Sequence, residues 1–437
     1  MSSIYYNIFK GICGRAGKGV VGQPSGWPAG LVSFYNPNAA SATRAFVGPQ
    51  PVYAAASQQP DANGNLVTWP NYVPGRGVEV HPAYTKLGNN SVFAGAVAGS
   101  PGTTPTGWTY TVVDSPTIAV TDVNGENKLT FSGTASRGYL SLSQSVAALA
   151  VYTFDVMVTA DGVLRYTDLE YCSLTGGTIV VMKDGVVIAD ETAVPAAGTF
   201  KLSVKVTAGA VGDTAIFRFG LGASAVATGT VSVWQPQLVL GAYSLPYVRS
   251  TTGSVSVAST AATSAGNGLA IPLDARMTAA LSAGGRFTAA ALCWMGVGSG
   301  ELPTSTDHGC LSVRNINNDI IYFNDSAGNK RIVRSFDGTT NAASVQTWGR
   351  GEIHLKVVQT NAAGTQFRVG NRRYTSAMVP IDALTWGAWA NYDGSMNPLT
   401  HLRFGYNSTV PIGFLQTQVW NKSCTDAEIL NLLRYAS

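Results

Sequence analysis

The sequence of 437 residues has few charged side chains: Lys, Arg, Asp and Glu make up 12% of it, about half the share found in average globular proteins. Coiled coils and long exposed helices need such side chains on their outer faces, so the composition excludes them as the main architecture. The apolar share of 45% lies in the globular range and argues against a disordered chain. The surface must therefore consist largely of Ser, Thr, Asn, Gln and Gly.

The sequence also lacks a strong net charge, a long apolar run and a secretory leader. Its net charge of +4 is too small and too dispersed for a nucleic-acid-binding surface. Because no run of 18 apolar residues occurs, we expect no membrane insertion. The chain does not start with a basic region followed by an apolar stretch, so we expect no export through a signal peptide.

Cysteine is scarce and scattered. The five cysteines include no Cys-x-x-Cys pair, and their number is odd: Cys13, Cys172, Cys293, Cys310 and Cys424. This usage is typical of thiols made in a reducing cytoplasm rather than of a disulfide framework.

Glycine and proline are abundant in the first 88 residues and interrupt every periodic pattern there. Residues 1–40 are predicted to form an extended arm that docks the protein to a larger particle. The glycines assigned to that docking segment are Gly11, Gly14, Gly17, Gly19 and Gly22. Residues 41–88 are predicted to form a proline-rich strap that lies against another domain or another subunit, because the segment cannot build a core of its own.

Alternation of apolar and polar residues begins after the strap. In residues 89–249 it predicts many short strands, among them a hairpin around Asp184-Gly185, a dipeptide that tolerates the positive φ angles of a type I′ turn. Small polar residues at 250–264 predict a linker, and strands resume in residues 265–437. We therefore predict an all-β protein with two antiparallel β-sandwich (jelly-roll) domains. Thr425 and Glu428 predict a capping box that starts one short C-terminal helix.

An aromatic segment near the C-terminus is the most informative candidate site. Aromatic faces stack on sugar C–H surfaces, and Asn or Asp side chains hydrogen-bond to hydroxyl groups, so the segment predicts carbohydrate binding by Trp386, Trp389, Asn391, Tyr392 and Asp393. The alternative is structural, since the two tryptophans would serve equally well to close the open end of a sandwich or to contact a neighbouring subunit. The structural alternative is favoured.

Signals for metals and catalysis are weak. Asp122, Asn124 and Glu126 surround a glycine turn with calcium-type oxygen ligands, but the spacing is not that of an EF-hand, and an ordinary hairpin turn explains them. No cofactor and no catalytic residue is otherwise predicted. A surface polysaccharide depolymerase that acts through Asp168, Glu170 or Glu301 stays open as an alternative.

Several segments carry a resemblance to known modules. Residues 43–45, 61–66 and 74–80 resemble the leader of many bacteriophage tail and minor structural proteins. Residues 91–95, 105–108 and, most specifically, 234–248 resemble the opening and closing strands of a carbohydrate-binding-module-like β-sandwich. Residues 412–422 and the capped helix are similar to the end of a concanavalin-like (laminin-G-like) jelly roll.

This resemblance implies a non-enzymatic virion protein on a tail fibre, a baseplate or a capsid surface, assembled in the host cytoplasm. Its expected partners are other virion proteins, through the N-terminal arm, and a host surface glycan. A homo-oligomer is expected, with a trimer favoured, although no heptad segment is present to hold a fibrous trimer together. A dedicated receptor-binding lectin is the main alternative.

Overall fold

A computed structural model of the chain describes the following residues: 29–35, 46–47, 52–53, 58–61, 63–68, 72–73, 76–88, 90–99, 102–112, 114, 116–123, 125–161, 164–165, 172–188, 193–194, 198–221, 227–251, 253–260, 269–281, 285–301, 308–314, 319–326, 330–334, 340–343, 348–391, 401–406 and 410–433. The predicted all-β fold is confirmed, and every strand pairing in these residues is antiparallel.

Eight strands precede the N-terminal sandwich, and we call them the N-terminal strands: β1 (Leu31–Tyr35), β2 (Phe46–Val47), β3 (Val52–Tyr53), β4 (Gln58–Pro60), β5 (Leu66–Thr68), β6 (Tyr72–Val73), β7 (Gly77–Val80) and β8 (Tyr84–Lys86). The N-terminal sandwich consists of β9 (Thr109–Val112), β10 (Thr117–Val123), β11 (Glu126–Ser136), β12 (Gly138–Val146), β13 (Val151–Asp161), β14 (Leu164–Arg165), β15 (Cys172–Ser173), β16 (Thr178–Lys183), β17 (Val186–Val187), β18 (Ala193–Val194), β19 (Thr199–Thr207), β20 (Asp213–Gly220) and β21 (Ala227–Leu240).

The remaining elements are β22 (Val255–Val257), β23 (Leu269–Pro272), helix α1 (Ala275–Leu281), β24 (Thr288–Met295), a 3-10 turn (Ser299–Glu301), β25 (His308–Arg314), β26 (Asp319–Ser326), β27 (Lys330–Arg334), β28 (Thr340–Ala343), β29 (Ile353–Thr360), β30 (Gln366–Tyr374), β31 (Thr385–Trp386), β32 (Ala390–Asn391), β33 (His401–Tyr406), β34 (Ile412–Trp420) and helix α2 (Asp426–Leu432). Those from β23 onward form the C-terminal sandwich.

The N-terminal sandwich packs a large sheet, ordered β10-β11-β21-β13-β19-β16-β17, against a smaller one, ordered β15-β20-β12-β9. Alternation along β13 and β19 sends Phe154 and Val204 into the shared core, where Phe217 and Phe219 meet them from the smaller sheet. The hairpin between β16 and β17 is confirmed, because Asp184 and Gly185 adopt φ angles of 48° and 79°.

The C-terminal sandwich packs a sheet with the central order β34-β24-β29-β30 against a second one, ordered β28-β27-β26-β25-β33-β23-β3. One core lies between the two sheets and includes Ala291, Val358 and Phe414. The outer face of the first sheet carries a further apolar cluster, which α2 covers with Ile429 and Leu433.

The N-terminal strands pair with both sandwiches of their own chain. Strand β1 pairs with one end of β34 and β7 pairs with the other, whereas β8 pairs with β21 and β22. Residues 31–35, which the sequence analysis assigned to the extended arm, thus complete the C-terminal sheet. Only residues 81–83 separate β7 from β8, so a short crossover joins the two sandwiches.

The predicted C-terminal helix is present, and α1, which was not predicted, is a second short helix among the described residues. The side chain of Asp274 starts this helix by accepting the backbone N–H groups of Arg276 and Met277 at 3.0 and 2.9 Å. The predicted capping box of α2 is confirmed, because Thr425 accepts the backbone N–H of Glu428, and the Glu428 carboxylate accepts that of Thr425. Among the described residues, neither helix is long and apolar enough to cross a bilayer.

Candidate functional site

The aromatic segment lies at the edge of the C-terminal sheet, and its Trp386 ring packs on the outer face of that sheet. Strand β31 pairs with β30 through Trp386 and Gly370, and β32 pairs with it through Asn391 and Gln366. Gly370 is required at its position, since a Cβ there would lie 2.7 Å from the Trp386 ring. Strand pairing on both sides of Trp389 thus makes the segment an edge of the sheet, next to β30.

Trp386 has a structural role on this face. Its indole is half-buried and packs on the apolar cluster beneath α2. Its ring N–H donates to the carboxylate of Asp426 at 3.0 Å, in the first turn of that helix. Trp386 therefore packs against α2 of its own chain, and its part in carbohydrate binding stays a prediction.

Trp389 is partly exposed, with 39% of the residue accessible to solvent. Asn391 is exposed as well, and it lies in the strand pair that begins beyond Trp389. Tyr392 and Asp393, the other two members of the predicted carbohydrate site, lie outside the described residues, and so do the arm glycines Gly11, Gly14, Gly17, Gly19 and Gly22.

Arg368 joins the two tryptophans, and the sequence analysis did not include it in the site. The central carbon of its guanidinium lies 4.0 Å from the centre of the Trp386 ring and 4.5 Å from that of Trp389. Its Nε and Nη2 both donate to Oε1 of Gln359, at 3.0 and 2.8 Å, and these two hydrogen bonds fix the orientation of the guanidinium group. Partial burial lowers the pKa of Arg368, and the nearby Asp426 carboxylate opposes that shift.

One signal in the sequence could have found Arg368. It alternates with the inward-facing Phe367 and Val369 on β30, which places it on the outer face of the sheet. Its distance from Trp389 depends on the pairing of β30 with β31 and β32, which alternation alone does not predict.

The calcium candidates lie in the hairpin between β10 and β11. The Asp122 carboxylate accepts the backbone N–H of Gly125 at 3.1 Å. The buried Glu126 carboxylate accepts the Tyr247 hydroxyl at 2.9 Å and the Gln235 amide at 3.2 Å. Burial raises the pKa of Glu126, and these two hydrogen bonds oppose the shift.

These two carboxylates are therefore engaged in the hydrogen bonds of the hairpin and its neighbours. Asn124 lies outside the described residues. Nowhere in the described part of the chain do three or more His, Cys, Asp or Glu side chains group in a way that could hold a metal ion.

A second polar group, which we call the interdomain cluster, lies between the sandwiches and consists of Asp155, Lys201, Ser203, Ser244, Glu301 and Arg350. Arg350 of the C-terminal sandwich forms an ion pair with Glu301, and its Nη1 donates to the Ser203 hydroxyl of the N-terminal sandwich at 3.0 Å. Asp155 accepts the hydroxyls of Ser203 and Ser244 at 2.5 and 2.6 Å. This network fastens one sandwich to the other.

Lys201 adds a further cation to the interdomain cluster. Its ammonium donates to the Ser244 hydroxyl at 3.3 Å. Burial lowers the pKa of Lys201 to about 8, although the Asp155 carboxylate opposes the shift. Of the acids considered for catalysis, Glu301 belongs to this cluster, whereas Asp168 and Glu170 lie outside the described residues.

Comparisons with known proteins do not assign a function to this site. No protein-family model matches the chain, and no curated protein matches it. The chain is similar to Trypanosoma rangeli sialidase in complex with sialic acid, at 11% identity over 73% of this chain and 52% of that one, with a TM-score of 0.25. It thus spans about half of the sialidase chain.

The chain is also similar to the N-terminal CBM22-1-CBM22-2 tandem domain of Paenibacillus barcinonensis Xyn10C. The identity is 10% over 78% of this chain and 99% of that one, with a TM-score of 0.20. Both TM-scores are too low to transfer a site, so the function has to be argued from the side chains of this chain.

Proposed function

We propose that the protein is a non-enzymatic component of a bacteriophage virion that attaches the particle to a glycan on the host surface. In this proposal the N-terminal arm docks on other virion proteins and the C-terminal sandwich meets the glycan. The observation that carries the glycan-binding part is the exposed indole of Trp389, held beside the fixed guanidinium of Arg368.

The chemistry of this pair suits a sugar. The Arg368 guanidinium occupies one face of the Trp389 indole, and the proposal assigns the opposite face to the C–H side of a pyranose, because desolvating that face on binding is favourable. Arg368 supplies donors for ring or hydroxyl oxygens from a position that Gln359 already fixes, so little side-chain entropy is lost when a ligand binds. The exposed Asn391 offers an amide donor and a carbonyl acceptor on the same face.

The proposal of a non-enzymatic role is supported by the surroundings of Glu301. This carboxylate is buried and ion-paired with Arg350, and it also accepts the backbone N–H of Gly298 at 2.7 Å. A general acid needs access to a substrate, and a buried carboxylate engaged in these contacts lacks that access. Release of reducing ends from host capsule or lipopolysaccharide by the purified protein would favour the depolymerase alternative instead.

The glycan-binding part is tested with Trp389→Ala and a matched control, Ile381→Ala, which truncates another exposed apolar side chain of the same sandwich. We expect Trp389→Ala to lose binding to a host-glycan array or to host cells, with a shift in Tm of no more than a few degrees. The control variant should keep both the glycan binding and the Tm of the wild type. Unchanged binding by Trp389→Ala would refute the site, and a large fall in Tm would assign Trp389 a structural role.

Docking of the protein to the virion through its N-terminal arm is tested by a deletion that ends before the first strand, β1. Removing residues 1–28 preserves β1, whereas removing residues 1–40 would also remove a strand of the C-terminal sheet. The shorter deletion should leave a folded protein that no longer enters particles. Incorporation at the normal level would contradict docking through the arm.

A further inference from the structure

Three neighbouring loops form one end of the N-terminal sandwich, which we call the distal tip: residues 147–150, 174–177 and 208–212. The backbone N–H of Leu149 donates to the carbonyl of Gly209 at 3.0 Å, and that of Ala208 donates to the carbonyl of Ala150 at 2.9 Å. A Cβ at Gly209 would overlap the carbonyl of Gly176, so the third loop packs closely as well. The distal tip lies at the end of β16 opposite its hairpin with β17.

The distal tip is apolar and exposed. None of its three loops contains a charged residue, and their only polar side chain belongs to Thr175. Val211 and Leu149 are 78% and 73% exposed, the two highest values among the large apolar side chains of the described residues. Leu240, also exposed, belongs to the same end of the sandwich, since it pairs with Tyr152 at the start of β13. Single exposed apolar residues are common, but a group of them on adjacent loops marks an interaction surface.

The backbone of Leu149 gives a second, independent indication. Its φ of 59° lies in the left-handed region, which disfavours bulky side chains and favours Gly or Asn. A strained residue normally gains packing in return, yet this leucine points into solvent. Such strain at an exposed position is typical of a functional contact.

We propose that the distal tip contacts a lipid surface. A stable protein partner would need roughly 800 Å² of buried area on each side, far more than three side chains supply. The tip also has no charged side chain, and Thr175 is its single polar one, so it has little with which to select one protein partner over another. A lipid surface needs neither, because it accommodates protruding apolar side chains without a matching pocket.

The charges near the distal tip indicate which lipids it suits. Asp213 follows the last loop, and its carboxylate accepts the backbone N–H of Thr175 at 2.6 Å. A carboxylate at the base of the tip is repelled by anionic headgroups, so neutral headgroups are preferred. The expectation of no membrane insertion rested on the lack of a spanning segment, and a peripheral contact by a few side chains is compatible with that lack.

The test measures flotation of the full chain with phosphatidylcholine vesicles. The variant Leu149→Asn/Val211→Thr removes apolar surface, and Asn tolerates the left-handed backbone, so folding is preserved. The control is Val187→Thr, which changes another exposed valine, 62% exposed, at the hairpin end of the same sandwich. We expect the vesicle-bound to free ratio to fall by at least about tenfold in the double variant and to stay unchanged in the control.

Two further measurements complete the test. Adding phosphatidylglycerol to the vesicles should not increase binding, and raising the salt concentration should not abolish it, since the contact is apolar. The proposal is overturned if the wild type does not float with phosphatidylcholine, if the double variant binds as well as the wild type, or if binding requires anionic lipid. A change of molecular mass in solution caused by the double variant, without vesicle binding by the wild type, would assign the tip to an interface between copies.

Discussion

Arg350→Met is expected to lower the free energy of unfolding by about 3–5 kcal/mol, because it breaks a buried ion pair. The side chains of Arg350 and Glu301 are only 6% and 3% exposed, so solvent cannot replace the lost partner. After the substitution, the Glu301 carboxylate keeps the backbone N–H of Gly298, and Ser203 loses a donor from across the domain interface. The loss should therefore both destabilise the protein and loosen the contact between the sandwiches.

The assay is urea denaturation followed by tryptophan fluorescence. A single transition in the wild type should separate into two in Arg350→Met, as the sandwiches begin to unfold independently. The matched control is Arg276→Met, which removes an exposed ion pair with Asp274 and should change stability by no more than about 1 kcal/mol. The double variant Arg350→Met/Glu301→Met should recover most of the loss, because it removes both charges together.

The reasoning fails if Arg350→Met and Arg276→Met have the same small effect. It also fails if the double variant is less stable than Arg350→Met, because the cost would then come from lost packing rather than from an unpaired carboxylate.

Two further predictions concern buried groups elsewhere in the chain. Burial lowers the pKa of Lys86 to about 8 in the folded protein, so between pH 8 and about 10.4 the unfolded chain binds more protons. Over that pH window the free energy of unfolding, measured by urea denaturation at a series of pH values, should therefore rise more steeply for the wild type than for Lys86→Met. Equal slopes against pH would contradict the lowered pKa of Lys86. Gly370→Ala should cost about 1–3 kcal/mol by displacing the Trp386 ring, whereas Gly349→Ala, with room for a methyl group, should be nearly neutral in thermal unfolding. Similar Tm values for these two variants would show that the ring moves aside without cost.

Local signals in the sequence were sufficient for several elements. The Asp184-Gly185 turn, the alternation in β13 and β19, and the capping box of α2 all depend on neighbours a few residues apart, so they could be predicted. Helix α1 also had a local signal in Asp274, but its small apolar residues resemble the neighbouring loop sequence, and the signal was overlooked.

The site depends on contacts between distant parts of the chain, and these could not be predicted. Trp389 was identified by its type and surroundings, but the position of Arg368 beside it follows from strand pairing. The interdomain cluster was missed for a similar reason, because Ser203 and Arg350 come from different sandwiches and neither stands in a recognisable motif. Alternation predicts which face of a strand a residue occupies, not which strand will lie next to it.

The pairing of β1 with β34 affects the order in which the protein can mature on the ribosome. The two strands are about 380 residues apart in the sequence, so Tyr35 can pair with Thr417 only after all the residues between them have been translated. At roughly 5–20 residues per second, nascent β1 waits about 20–80 s for its partner. During that time its apolar strand edge is available to chaperones or to other nascent chains, so the yield of soluble protein should depend on the rate of elongation.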